Sequence, residues 1–214
     1  AELVEYAEVG AAKLDALLRA WRHFRERHLA HNSERAHAFR QYCADQGEVL
    51  RLHALFEALQ AHFRRQDAAV WGWPAWPEAY RDPAAAEVAE FAVAHAVEVD
   101  FYRYLQWLAE QQLAAAGARS WSLGLGVGLY QDLALGVDPG GAEAWANRDV
   151  YAVGAHAGAP PDDFNLAGQD WGLPPFNPWR LREKAYAPFA ATLRATMRHC
   201  GALRTPHHHR GRPH

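Results

Sequence analysis

The sequence predicts an α/β chain, with a mainly helical region over 1–117, one strand–loop–helix–strand unit over 118–204, and a His/Arg-rich tail over 205–214. Three observations lead there. Apolar residues recur at steps of three and four through roughly the first hundred positions, the period of one helix face. Leu123-Gly-Leu-Gly-Val-Gly-Leu-Tyr130 is then a continuous apolar run without alternation, as a strand buried on both faces requires. Last, Asn177-Pro178 opens a new helical pattern that Gly201 stops just before Ala202-Leu-Arg204. Strand, long loop, helix and second parallel strand form the repeating unit of a (β/α) barrel or of a doubly wound sheet.

In order along the chain, Leu14, Leu17, Leu18, Trp21 and Phe24 mark the buried stripe of a first helix. Ser33 is the N-cap of a short second helix carrying Phe39, Tyr42 and Cys43. Val49, Leu52, Phe56, Leu59 and Phe63 give a third. Trp71-Gly-Trp-Pro-Ala-Trp-Pro77 breaks the pattern, because two prolines stop a helix and three indoles need burial or a surface to stack on. Asp82-Pro83 restarts helix as N-cap and first-turn proline, and one long apolar face from Val88 runs toward Leu113, with Gly117 as its end. The strand spans about 124–132, and its glycines allow close backbone approach. With few strands beside it, its apolar run is expected to lie exposed. The Gly- and Pro-rich stretch from Ala134 to about Pro175 is a long loop, of the length that is usually functional or disordered. Leu181, Tyr186, Phe189, Leu193 and Met197 then line one helix.

Composition narrows the function. The formal net charge of −3 speaks against nucleic acid as partner, since phosphate binding needs a basic face. No window approaches the roughly 20 apolar residues of a membrane helix, so no membrane partner is expected. Cys43 and Cys200 are too few and too distant for a disulfide scaffold or zinc knuckle, and fit ordinary thiols of a cytoplasmic protein. Four of the thirteen His lie in the last eight residues, and His23, His37, His53 and His95 share no ligand spacing, so no metal and no cofactor are expected. Nothing in the sequence sets an oligomeric state.

Several longer motifs carry a resemblance. Gly128-Leu-Tyr-Gln-Asp-Leu-Ala-Leu-Gly-Val137, Gly140-Gly-Ala-Glu-Ala-Trp-Ala-Asn147, Gly158-Ala-Pro-Pro-Asp162, Gly168-Gln-Asp-Trp-Gly-Leu-Pro-Pro175 and Met197-Arg-His-Cys-Gly-Ala-Leu-Arg204 occur in that order. With Trp71–Pro77 and Val99–Trp107 upstream, the chain resembles the bacterial 4-α-glucanotransferases (amylomaltases) of glycoside hydrolase family 77 from residue 1 to Arg204. The resemblance implies a partial (β/α)8 barrel with a large helical insertion. It also implies a retaining transferase that moves α-1,4-glucan segments between maltooligosaccharides. Such chemistry needs a carboxylate nucleophile and a carboxylic acid about 5–5.5 Å apart. The family continues its fourth strand as Arg, an aliphatic residue, Asp and His, with that Asp as nucleophile; here the chain reads Arg204-Thr-Pro-His207, with Pro206 at the nucleophile position. Ala1 leads straight into helical pattern, and the motifs stop after Arg204. The expectation is therefore an internal, truncated piece, inactive by itself, with a glucan-binding or interaction segment as the alternative reading.

The resemblance nominates Asp132, Trp145, Asn147, Gln169, Trp171 and Arg204 as glucan-binding residues, four of them with a plainer rival. Asp132 stands near substrate or caps loop amides. Trp145 and Trp171 stack on glucose faces or fill core. Gln169 hydrogen-bonds sugar hydroxyls, and Asn147 does so or caps the next segment. Arg204 is the family Arg that keeps the nucleophile ionised, and with Pro206 in place it is expected to have nothing to hold. Asp138, before Pro139-Gly140, is read as a turn residue.

Overall fold

The computed structural model describes residues 3–134 and 136–205. Four main helices come first: α1 (Tyr6–Phe24), α2 (Glu34–Gln66), α3 (Ala86–Ala94) and α4 (Ala96–Ser122). A short strand β1 (Tyr130–Asp132), helix α5 (Ala142–Ala146) and strands β2 (Ala157–Ala159) and β3 (Gln169–Leu173) follow. Helices α6 (Pro178–Glu183) and α7 (Ala187–Met197) lead to β4 (Ala202–Arg204). β1 and β4 pair in parallel with Tyr130 opposite Ala202 and Asp132 opposite Arg204, while β2 and β3 form an antiparallel hairpin. The chain is α/β, as expected, and no described helix is long and apolar enough to cross a membrane.

Local chemistry explains most helix ends. The Ser33 hydroxyl accepts from the Ala36 amide at 3.4 Å, satisfying one of the orphan N–H groups of α2. Gly47, at φ 54° and ψ −131°, kinks α2 into the two helices read from the sequence. The Asn177 carboxamide accepts from the amides of Trp179 and Arg180 at 3.1 and 3.2 Å, with Pro178 at the first helical position.

Five expectations need correction. The helix from Asp82-Pro83 is instead a turn, in which Asp82 accepts from the Ala84 amide, and α3 starts at Ala86. The long helix behind it is two, broken at His95 (φ −114°, ψ 29°). Gly117 does not end α4, which runs on to Ser122 across the expected boundary. The strand expected over 124–132 shrinks to three residues, because only Ala202–Arg204 pairs with it; Leu123, Leu125, Val127 and Tyr130 lie exposed. The last helix is split at Ala185 and Tyr186, both with positive φ, where the Tyr186 amide donates back to the Leu181 carbonyl at 2.9 Å and closes α6.

Two aromatic cores hold the helical layer. One joins Leu55, Phe56, Leu59 and Phe63 of α2 to Trp76, Phe91, Val99 and Trp145. The other packs Trp21 and Phe24 of α1 and Phe39 of α2 against Phe101, Tyr104 and Trp107 of α4. Of the α1 stripe, Trp21 and Phe24 are buried and Leu17 packs against that core, whereas Leu14 and Leu18 remain 45% and 38% exposed. The Trp71–Pro77 segment explains its own indoles. Trp76 is fully buried and donates to Gln60 at 2.8 Å, and Gln60 donates in turn to the Val70 carbonyl at 2.9 Å. Trp73 donates to the Pro139 carbonyl at 2.8 Å, tying this segment to the loop after β1.

The helical layer meets the strand unit through α4. Gly117 is buried there because a Cβ would stand 2.8 Å from the backbone carbonyl oxygen of His199. Two turns earlier along α4, the Glu110 carboxylate takes Arg198 at 3.0 Å and His199 at 2.8 Å. Burial raises the Glu110 pKa, but the hydrogen bonds and charges of His199 and Arg198 outweigh it and leave a net lowering. Gly201 sits where a Cβ would meet the Val127 carbonyl oxygen at 1.7 Å, so its glycine serves a backbone crossing just before β4.

Two outcomes follow from this contact. Gly117→Ala should lower stability by about 1–3 kcal/mol through overlap with backbone that cannot swing aside, whereas Gly10→Ala, in open space on α1, should raise it by about 0.5–1 kcal/mol. Urea titration of both variants measures the difference. A carboxylate with a depressed folded pKa stabilises above its unfolded pKa and loses that contribution as pH falls through the folded one. The melting-point gap between wild type and Glu110→Gln should therefore hold above about pH 5 and close as the solution is made more acidic.

Candidate functional site

β1 and β4 end side by side, and their register alone puts Asp132 next to Arg204. The guanidinium forks onto the carboxylate, with Nε donating to Oδ1 at 2.9 Å and a terminal nitrogen donating to Oδ2. Arg204 thus does have a carboxylate to hold, contrary to the expectation from the sequence. The Leu133 amide donates to the Arg204 carbonyl at 2.9 Å and extends the pairing past the strand end. Both side chains of the ion pair are more than half exposed, so the pair faces solvent at the C-terminal ends of two parallel strands.

The loop leaving β1 is ordered by its neighbours. Gly136 lies against the Leu173 side chain at the end of β3, which brings the β2–β3 hairpin beside the strand ends. Asp138 accepts from the Gly140 amide at 2.8 Å, the turn role read for it. Further on, the Ala152 amide donates to the Pro175 carbonyl, the Asn177 amide donates to the Val150 carbonyl, and Tyr151 stacks on Phe176 at 4.7 Å. These bonds zip the two ends of the long loop together, leaving the hairpin as its projecting part.

On that hairpin, Gln169 and Trp171 stand two residues apart on β3 and share a face. The Trp171 indole N–H donates to Gln169 Oε1 at 3.0 Å, which fixes the ring and leaves the Gln169 amide group for other partners. Asp170 accepts from the Gly172 amide at 2.8 Å and pairs with His156 at 3.0 Å, and these bonds hold its pKa below the ordinary value. Asp170 is thereby committed to shaping the hairpin.

Two nominated residues belong elsewhere. Trp145 is fully buried between Phe56 and Trp76, with ring centroids at 5.9 and 5.8 Å, and donates to the Tyr80 carbonyl at 3.1 Å. No face of it is left for a sugar, so its part is core. Asn147 closes α5 and donates to Glu143 at 3.0 Å; it lines a cleft of about 620 Å³ between α2 and α7 instead of the Asp132 end. The position of Pro206, and the tail beyond it, lie outside the described residues.

One residue near the loop was missing from the nominations. Trp71 is 58% exposed, and its ring lies close over Gly140, where an added Cβ would sit 2.4 Å from it. The signal was present in the sequence: of three clustered indoles, Trp76 is sealed in core and Trp73 is half-buried with its N–H bonded, which leaves the third for the surface. Among the described residues no three His, Cys, Asp or Glu converge as a metal site would require.

The family described as 4-alpha-glucanotransferase, glycoside hydrolase family 77, matches residues 1–210. A 4-alpha-glucanotransferase of Haemophilus influenzae is 35% identical over 209 residues, covering 96% of this chain and 30% of the relative. One of Mycobacterium tuberculosis is 50% identical over 135 residues, covering 63% of this chain and 19% of the relative. The chain thus spans between about a fifth and a third of the length of these curated relatives. Among solved structures, the amylomaltase of Corynebacterium glutamicum superposes with a TM-score of 0.70 at 36% identity, over 92% of this chain and 24% of that one. An amylomaltase of Streptococcus agalactiae in complex with acarbose shares the fold with a TM-score of 0.79 at 19% identity, over 95% of this chain and 40% of that one. By the extent of the family match and the Haemophilus relative, the chain belongs to the 4-alpha-glucanotransferase family, glycoside hydrolase family 77.

Proposed function

We propose that the chain serves the transfer of α-1,4-glucan segments between maltooligosaccharides, with residues 118–204 as one unit of a (β/α)8 barrel and 1–117 as a helical insertion. The observation that carries this reading is the Asp132–Arg204 pair at the C-terminal ends of two parallel strands, the face on which barrel enzymes place their sites. A fork-bonded guanidinium holds the Asp132 carboxylate in one orientation, and its remaining lone pairs can accept hydrogen bonds from sugar hydroxyls. The exposed face of Trp71 offers a flat apolar surface to a glucose ring, with Trp171 on β3 as a second indole of the site, and the amide of Gln169 reaches hydroxyls beside them.

A retaining transfer also needs a nucleophilic carboxylate and an acid. In this sequence the family's nucleophile position holds Pro206, whose ring cannot attack an anomeric carbon. We therefore assign the 214-residue chain glucan binding without turnover of its own, which also keeps the binding-segment reading alive for it.

Two measurements test this. Purified chain incubated with maltotriose should yield no ladder of longer and shorter oligosaccharides; a ladder would show that another group acts as nucleophile. Maltoheptaose or acarbose should bind in calorimetry, and Trp171→Ala should weaken that binding about tenfold through loss of the stacking face, with the melting point nearly unchanged. No detectable binding by the folded chain overturns the assignment.

A further inference from the structure

Away from the strand ends, α1, α2 and α4 enclose a groove of about 500 Å³, within the size range of small-molecule sites. Its walls are apolar: Leu14, Leu18 and Trp21 from α1, Ala58 and Ala61 from α2, and Phe101 from α4. Leu14 and Leu18 keep large exposed areas there, although the periodicity of α1 marks them for burial. Three arginines, Arg22, Arg25 and Arg65, also line it.

Those arginines differ from the ones that tie distant segments of the chain together. Arg148, Arg198 and Arg204 are each paired with a carboxylate from a distant segment. Among the described residues, no carboxylate lies within ion-pair distance of Arg22, Arg25 or Arg65. Arg22 reaches the Leu18 carbonyl at 3.4 Å, and the Arg25 guanidinium stands 5.9 Å from the Trp21 ring centre. The carboxylate that lines the groove, Glu98, leans toward His95 at 3.6 Å. Three cations against one acid leave the groove positive at neutral pH.

Two further features mark the place. Arg25 begins a π-helical turn, Arg25–Leu29, a rare widening that often accompanies function. Trp21 is buried to 4% exposure, yet its indole N–H has no acceptor, alone among the sealed side-chain polar atoms of the described residues. A buried donor without a partner is costly, and it lies on a residue of the groove wall, where a small shift admits an acceptor from within the groove.

An apolar trough with uncompensated guanidinium groups and an unfilled N–H is complementary to one kind of molecule, an apolar chain ending in a planar anion with two acceptor oxygens. We propose that this groove binds a long-chain carboxylate, with its alkyl chain along Leu14, Leu18 and Phe101 and its head among Arg22, Arg25 and Arg65. A nucleic acid or other polyanion lacks the apolar part that the trough would cover. The proposal is independent of the glucan reading, whose residues lie at the strand ends.

Calorimetric titration of the full chain with octanoate, decanoate and dodecanoate, below their micelle concentrations, tests it. Affinity should tighten about two- to fourfold per added methylene, the fold-change corresponding to burial of each CH2. Decanol, with the same chain and no charge, should bind at least fivefold more weakly than decanoate. Arg25→Gln and Arg65→Gln should each weaken decanoate several-fold without changing decanol binding or the thermal melt. Trp21→Phe, which keeps the ring and removes the donor, should weaken decanoate while leaving the protein at least as stable. Equal binding of decanol and decanoate, or decanoate binding indifferent to all three substitutions, would place the interaction on the exposed 123–130 run and overturn the proposal. Absence of decanoate binding, or a dimer in sedimentation that Leu18→Glu dissociates, would overturn it as well.

Discussion

A side chain cannot fit at residue 117, and much of the strand unit depends on that. The backbone at His199 passes so close to α4 that even a methyl group would collide with its carbonyl oxygen. Glu110 then fastens the same segment by drawing Arg198 and His199 onto one carboxylate oxygen. With the end of α7 held in this way, Gly201 crosses Val127 at backbone contact and β4 has one register available beside β1. Asp132 and Arg204 meet as a result of that register. The ion pair is thus positioned by contacts on the far side of the strands from its own charges, and its solvent-facing Coulomb attraction is too weak to dictate the geometry.

The helical layer reaches the same end of the molecule by another path. Gln60 spans Trp76 and the Val70 carbonyl, so the Trp-rich segment is fixed to α2 at two points. Trp73 passes this anchorage on to Pro139, and Trp145 plugs α5 into the α2 core. The loop after β1 is therefore held between the hairpin at Leu173 and the indoles at Trp71 and Trp73. Damage deep in the helical core should be felt at the strand ends, because these buried side chains have few ways to repack.

Charge pairing separates two surfaces of different chemistry. At the strand ends, the basic group is neutralised by its neighbour and the surroundings offer amide, carboxylate and indole, which suit a neutral polyhydroxyl ligand. In the groove on the helical layer, the basic groups stay uncompensated over an apolar floor, which suits a ligand that brings both a charge and a chain. The glucan role proposed here concerns the first surface and makes no use of the second.

Short-range chemistry was readable in the sequence. Ser33 and Asn177-Pro178 start helices and Asp138 makes a turn, since each of these depends on a few adjacent residues. The motifs also singled out Asp132, Gln169, Trp171 and Arg204, which the structure puts on strands β1, β3 and β4. The pairing of Asp132 with Arg204 depended on a partner far along the chain. Periodicity marks Leu14 and Leu18 for burial, but only packing decides that none of the described helices covers them. A glycine within a helical pattern reads as a stop, and Gly117 continues its helix because a remote backbone needs the space. Trp145 reads equally well as sugar platform or core, and the positions of Phe56 and Trp76 make it core. What the sequence determined by itself was which groups satisfy the backbone locally; which side chains are buried, paired or left facing solvent was decided by tertiary structure, because burial and ion pairing depend on distances that local sequence does not encode.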